Sequence, residues 1–348
     1  MSEREYNEKI ASFHNIEGLT LKPEYPKNDI RLELSNICNH TCLFCANRKM
    51  TRKKGFMDEV FLRRILQEAY NEGFYGVGFY ANGEPFISPH FTEYIRWAKE
   101  IGYTYVYIDT NGAAVGPEKI KEAIDAGLDS IKFSINGTNR ETYELIHGRD
   151  DFDRVMDNLK YAYQYKKELK RPLNVFVSIA VTKYIEDTVD EFVEKCKAYC
   201  DDIVTNTVID MGGYVPAEHK YLATGRDTDF APSMKIPCYV MWNSLFVTWE
   251  GYATACCADF QNYFVYADLN STSIRDAWHN EKITELRSRH LNGDIEGMPC
   301  KACALGKLEQ WKPLIQDYAT ICDASIFEEY DASERIRKYE QKREGIEK

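Results

Sequence analysis

Between residue 30 and about residue 210, short runs rich in β-branched and aromatic residues alternate with longer segments whose apolar positions recur at helical spacing. The pattern predicts strands over 30–34, 76–81, 103–109, 130–135, 174–181 and 202–209. Helices are expected over 58–71, 89–101, 116–126, 140–146 with 152–169, and 185–199. This order, at about 30 to 40 residues per unit, is that of a parallel α/β barrel, and six units in place of eight predict a partial (β/α)6 barrel left open on one side.

The pattern breaks at 212–237, where Gly212, Gly213, Pro216, Pro232 and Pro237 interrupt any periodicity, as expected of a linker or lid. Beyond it, 244–249 and 252–256 flank Glu250 and Gly251, which suit a hairpin turn, and a helical segment follows over 273–291. The charged stretch 325–348 reads as a solvated helix. The chain therefore divides into an extension (1–29), the partial barrel (30–211), a linker or lid (212–237), a small cysteine-rich α+β domain (238–310) and a helical tail (311–348).

Charge narrows the partners. Lys and Arg number 44 against 55 Asp and Glu, a net −11, which opposes general attraction to nucleic acid or anionic lipid. No apolar run approaches the roughly 20 residues that span a bilayer, and the first 28 residues lack the order of a secretory signal, so a cytoplasmic protein is expected. In that compartment thiols stay reduced, and eleven cysteines read as metal ligands more readily than as disulfides.

Cys38, Cys42 and Cys45 form C-x3-C-x2-C on the loop after the first predicted strand, the end where a parallel barrel places its chemistry. Three thiolates leave one coordination position of a zinc or four-iron site open, which suggests catalysis. With Phe44 just before the third cysteine, the motif resembles the signature of the radical S-adenosylmethionine (SAM) enzymes, whose fold is a TIM-like partial barrel. The resemblance implies a [4Fe-4S] cluster that binds SAM at its unique iron and a 5′-deoxyadenosyl radical. It also assigns cofactor contacts to Phe44, to Gly83, Glu84 and Pro85, to Asn111, to Ser134 and Asn136, and to Val181. His147 stands where the family's Tyr-x-x-Ile-Arg-Gly carries Arg. Gly76-Val77-Gly78 lies inside a predicted strand, which excludes a dinucleotide turn there.

Cys238, Cys256, Cys300 and Cys303 supply four more thiols, and spacing alone accommodates zinc or a four-iron cluster. The arrangement resembles the SPASM and twitch extensions of the same superfamily, which implies an auxiliary [4Fe-4S] cluster. Glu309 and Pro313 occupy positions where a full extension places cysteines, so one auxiliary cluster is expected. The Gly251-x4-Cys spacing selects Cys256 over Cys257. Cys196 and Cys200 share the buried face of a predicted helix and read as core.

The resemblance extends to enzymes that oxidise or epimerise sugars, aminocyclitols and similar polyols, with oxidation favoured. Epimerisation would give Cys322, Cys257 or a tyrosine the role of hydrogen-atom donor. A peptide substrate is the rival expectation, and a zinc-stabilised binding module the non-enzymatic one. The basic run Arg48, Lys49, Arg52, Lys53 and Lys54 is expected to steer an acidic, low-potential electron donor of the flavodoxin kind, or a substrate phosphate, toward the first cluster.

Overall fold

The structure, a computed structural model, describes residues 18–25, 29–209, 211–215, 222, 236–305, 309–323 and 333–345. Most of the expected linker or lid and the first 17 residues lie outside the described residues. Six parallel strands, β1 (Asp29–Leu32), β2 (Gly76–Gly78), β3 (Tyr105–Thr110), β4 (Ser130–Ser134), β5 (Asn174–Val181) and β6 (Asp202–Thr207), pair in chain order. Between them run α1 (Glu59–Asn71), α2 (Phe91–Ile101), α3 (Pro117–Asp125), α4 (Arg140–His147), α5 (Phe152–Lys166) and α6 (Val189–Cys196). The partial barrel expected from the pattern is therefore present.

Strand alternation sorts the two faces. Ile30, Leu32, Val77, Val106, Ile108, Ile131, Phe133, Val175, Val177 and Ile179 join Leu62, Ile65, Leu66, Ile95 and Ile124 of the helices in one buried core. The opposite face is concave and polar: Arg31 pairs across the sheet with Gly78, Gly78 with Tyr107, and Asp109 with Lys132. Gly78 has a steric reason to be glycine, since a Cβ there would stand 2.6 Å from the ring of Tyr107.

The sheet does not stop at β6 and β1. β7 (Leu245–Val247) pairs parallel with β1, and β8 (Tyr252–Thr254) and β9 (Val265–Asp268) continue antiparallel, giving nine strands in the order β6-β5-β4-β3-β2-β1-β7-β8-β9. β7 and β8 are the predicted hairpin. β9 has four residues and almost no alternation, so local pattern does not announce it. Short helices α7 (Val240–Asn243), α8 (Ile274–Trp278), α9 (Glu281–Leu291) and α10 (Cys300–Leu305) complete this part.

The tail helix α11 (Ser333–Arg343) departs from the solvated reading. Ile336 is buried with Leu43, Leu145, Ile146 and Val208, and Tyr339 packs beside them. Arg335 donates to the carbonyls of Thr41 at 3.0 Å and Leu145 at 3.2 Å, clamping the first cysteine loop against α4. A stripe only one apolar side chain wide, inside a run of charges, carries almost no periodic signal.

Candidate active site

The loops that follow β1 to β5 emerge along one edge of the sheet, where Glu84, Asn111 and Cys38 meet and His147 links Cys42 to Asn136. Cys42 is fixed by backbone. Thr41 and Leu43 on either side donate to the carbonyls of His147 at 3.1 Å and Ile146 at 2.9 Å, at the end of α4. That end is well defined: Asn139 caps the helix start through a reciprocal bond with Thr142, and Gly148 closes it in the left-handed region at φ 78°. Cys45 accepts from the amide of Asn47 at 3.5 Å, and Asn111 Nδ2 lies 3.8 Å from the sulfur of Cys38.

Burial pushes the Cys38 thiol up to about 12 and raises Cys42 and Cys45 as well, and the neighbouring thiols raise Cys38 and Cys42 further. Thiols raised in this way hold their protons unless a cation displaces them. An all-thiol set of three, with amide and carboxamide donors aimed at the sulfurs, fits a four-iron cluster with one iron left to an outside ligand.

Gly83, Glu84 and Pro85 cross directly under this loop. A Cβ on Gly83 would stand 2.2 Å from the carbonyl oxygen of Ser35, and the amide of Glu84 donates to Ile37 O at 2.9 Å. Gly83→Ala is therefore expected to cost about 3 kcal/mol, because the clash is with backbone that cannot rotate away. Thermal unfolding and iron retention after reconstitution would measure it, and a midpoint equal to wild type would refute the crossing.

The acidic side chain of Glu84 is occupied within the protein. Its Oε1 accepts from Thr110 Oγ1 at 2.7 Å and Phe86 N at 3.2 Å, and its Oε2 from Asn111 N at 2.8 Å. Burial raises this carboxyl to about 7 against those three donors, and the group joins the ends of β2 and β3. Asn111 passes the connection on, donating to Asn39 Oδ1 at 2.8 Å. Asn136 accepts from Ala180 N at 2.7 Å, and Ser134 meets Ser178 at 3.2 Å deeper in the barrel. Phe44 packs in the apolar group beneath α11, and Val181 is half-buried at the end of β5.

The second set also converges. Cys300 interacts with Cys238 and Cys303, Cys256 with Cys300, and Cys257 with Cys238. Cys256 and Cys257 are hydrogen-bonded to each other, which raises the first and lowers the second to about 7. Cys256, half-buried, interacts with Cys300, and Cys257, exposed, interacts with Cys238, where spacing singles out Cys256 alone. Glu309 carries no sulfur and holds Lys301 Nζ at 2.7 Å, so its position serves as an ion pair. Cys322 shares an apolar group with Cys45, Met50, Tyr214 and Trp311, and its sulfur accepts from Gln261 Nε2 at 3.5 Å. Cys196 and Cys200 lie in the main core as expected.

Within the basic run, Arg52 is set apart from the surface, whereas Lys53 and Lys54 are exposed. Arg52 is 3% exposed, and its Nη2 holds both oxygens of Glu33, itself 2% exposed, at 2.6 and 2.7 Å. Its Nη1 donates to Asn262, and its Nε lies 3.5 Å from Glu250. Lys54 Nζ donates to Asn36 O and Asn47 Oδ1, both at 3.0 Å. Two of the five cations therefore brace the cysteine loop: Arg52 against the β7–β8 turn through carboxylates distant in sequence, and Lys54 through the oxygens of Asn36 and Asn47.

Sequence reading missed the lining of the barrel. Arg31 lies over the rings of Phe246 at 5.1 Å and Tyr80 at 5.8 Å and donates to Tyr107 Oη at 3.3 Å. Tyr107 donates to Asp29, and Lys132 pairs with Asp109 at 2.7 Å. The signal was available: D-I-R-L, Y-V-Y-I-D and S-I-K-F-S alternate polar and apolar residues in strands covered by helices on one side.

Among the described residues, no helix is long and apolar enough to cross a membrane. The family model described as the radical SAM superfamily matches residues 32–196, and one described as an iron-sulfur cluster-binding domain, SPASM, matches residues 238–304. A probable GTP 3′,8-cyclase of Saccharolobus islandicus is 32% identical over 137 residues, 39% of this chain and 44% of that protein. The chain spans less than two thirds of the length of the curated relatives it matches. BtrN in complex with AdoMet and 2-DOIA aligns at a TM-score of 0.53 and 19% identity, over 84% of this chain and 98% of that one. SuiB of Streptococcus suis bound to the precursor peptide SuiA aligns at 0.60 and 14% identity, over 82% and 70%. At such identities these structures speak to the fold.

Proposed function

The chain belongs to the radical SAM superfamily and carries a SPASM iron-sulfur domain, and we propose that it oxidises a carbinol carbon of a small sugar-, aminocyclitol- or polyol-like substrate. The observation that supports this reading is the polar inner face of the barrel, where Asp29, Arg31, Tyr80, Tyr107, Asp109 and Lys132 stand together. A face built of paired charges and phenols offers donors and acceptors to several hydroxyls at once. These groups are paired with one another within the protein, and a hydroxylated ligand can exchange into those pairings where a purely apolar one cannot.

When bound, SAM and its cluster supply a 5′-deoxyadenosyl radical that takes one hydrogen atom from carbon, and the auxiliary cluster supplies a one-electron acceptor. The chain supplies the rest. Cys38, Cys42 and Cys45 hold the first cluster, and Cys238, Cys256, Cys300 and Cys303 the second. Gly83 lets the loops after β1 and β2 cross, and Asn111 and Asn136 fix the loop ends around the cofactor. Asp109, oriented by Lys132 near the end of β3, is the group we assign to accept the hydroxyl proton.

Anaerobic incubation with SAM, reductant and carbon-deuterated aminocyclitols or sugars tests the proposal. Deuterium is expected in 5′-deoxyadenosine, with one carbonyl product formed per nucleoside. Deuterium arriving only from labelled peptides would overturn the substrate class. A product of unchanged oxidation state would overturn oxidation in favour of epimerisation, with Cys322, Cys257 or a tyrosine returning the hydrogen atom.

A further inference from the structure

His147 and His40 are buried, at 1% and 5% exposure, against the cysteine loop, and the chemistry above uses neither. The Nε2 of His147 accepts from the amide of Asn136 at 3.1 Å, with Asn136 Nδ2 3.4 Å away. A ring nitrogen facing a backbone N–H carries a lone pair, so the proton of this imidazole sits on Nδ1. That Nδ1 lies 3.4 Å from the sulfur of Cys42 and 3.2 Å from Nδ1 of His40. His40 in turn presents Nε2 to Asp151 Oδ2 at 3.2 Å. A carboxylate only accepts, so the His40 proton faces Asp151 and its Nδ1 carries no hydrogen that would turn His147 away.

We propose that His147 is a positioning residue for the SAM-binding cluster: its Nδ1–H donates to the sulfur of Cys42 and sets how readily that cluster accepts an electron. An anionic thiolate is a stronger acceptor than the neutral imidazole beside it. A hydrogen bond to a ligating sulfur withdraws charge from the cluster and favours the reduced form. The geometry is rigid: the His147 ring is stacked on Tyr143 at 4.0 Å and 15°, and its own carbonyl holds the amide of Thr41 beside Cys42. The inference rests on a cluster at Cys38, Cys42 and Cys45, and on no particular substrate.

The test is a redox titration of the reconstituted full-length protein, following by electron paramagnetic resonance the signal that responds to SAM. His147→Phe keeps the ring on Tyr143 and removes the donor. At a fixed potential its ratio of reduced to oxidised cluster should fall about tenfold, which is 59 mV for a one-electron couple. His147→Asn presents an N–H at the same distance from the backbone and should stay within about threefold of wild type. An unchanged ratio in His147→Phe, or equal losses in both variants, would overturn the proposal.

If His147→Phe assembles no cluster, wild-type protein with nitrogen-15 histidine decides by electron–nuclear double resonance. A weak nitrogen coupling that survives His40→Phe is expected. Absence of coupling, or the strong coupling of a nitrogen bound directly to iron, would overturn it. A wild-type protein with no SAM-responsive signal would overturn the cluster assignment itself, which separates that failure from this one.

Discussion

Replacing Cys38, Cys42 or Cys45 with Ala is expected to drop reductive SAM cleavage to the level of the reagents alone, whereas Cys238→Ala leaves cleavage running without turnover. The two thiol sets differ in what they leave open. The first has three sulfurs, and any deletion removes both the cluster and the iron that SAM would chelate. The second closes its own coordination sphere and is carried by the β7–β9 extension, so its loss spares SAM binding and removes the electron acceptor. Iron should fall from about eight to about four atoms per chain in either case, as expected of two four-iron clusters. Quantifying 5′-deoxyadenosine, iron and oxidised product side by side checks the pattern. Cleavage that survives Cys42→Ala and fails in Cys238→Ala would reverse the assignment of the two sites.

The parts legible in the sequence were those with a local signature. All six barrel strands and their helices follow from period, because each strand is covered by helices on one face and each helix buries one stripe. The cysteine loops follow from spacing, whereas Gly83-Glu84-Pro85 reads as a cofactor-contact motif and does not announce the crossing with the loop after β1. What sequence left hidden was set by partners far apart. Local pattern shows the β7–β8 hairpin, yet nothing local shows that β7 pairs with β1, some 200 residues earlier, and carries the sheet onward. Arg52 reads as one more cation of a steering run because its partners, Glu33 and Asn262, are not adjacent to it. The barrel lining went unread although its alternation was visible, because polar residues in a strand ordinarily face water, whereas here they face the enclosed side of a barrel.

Arg52→Ala should cost about 3 to 5 kcal/mol, more than any other change in the basic run, because it leaves the Glu33 carboxylate buried without its partner. The apparent unfolding midpoint should fall by on the order of 10 °C. Arg52 follows the cysteine loop, Glu33 directly follows β1, Glu250 forms the β7–β8 turn and Asn262 precedes β9, so one guanidinium joins the barrel to the extension that bears the second thiol set. The amide of Trp249 donates to the same Glu33 at 3.1 Å, and Gln261 accepts from the amide of Arg52 at 3.1 Å. Arg52→Met combined with Glu33→Gln removes the charge yet keeps an acceptor for Trp249, and should recover at least half of the loss, since the penalty of the single variant is mostly uncompensated charge. Lys53→Ala, at an exposed neighbour, should stay within about 0.5 kcal/mol of wild type. Anaerobic thermal unfolding of the four proteins decides the matter: equal midpoints for Arg52→Ala and Lys53→Ala would return the whole run to the surface, where screened charges act on approaching partners and contribute little to stability.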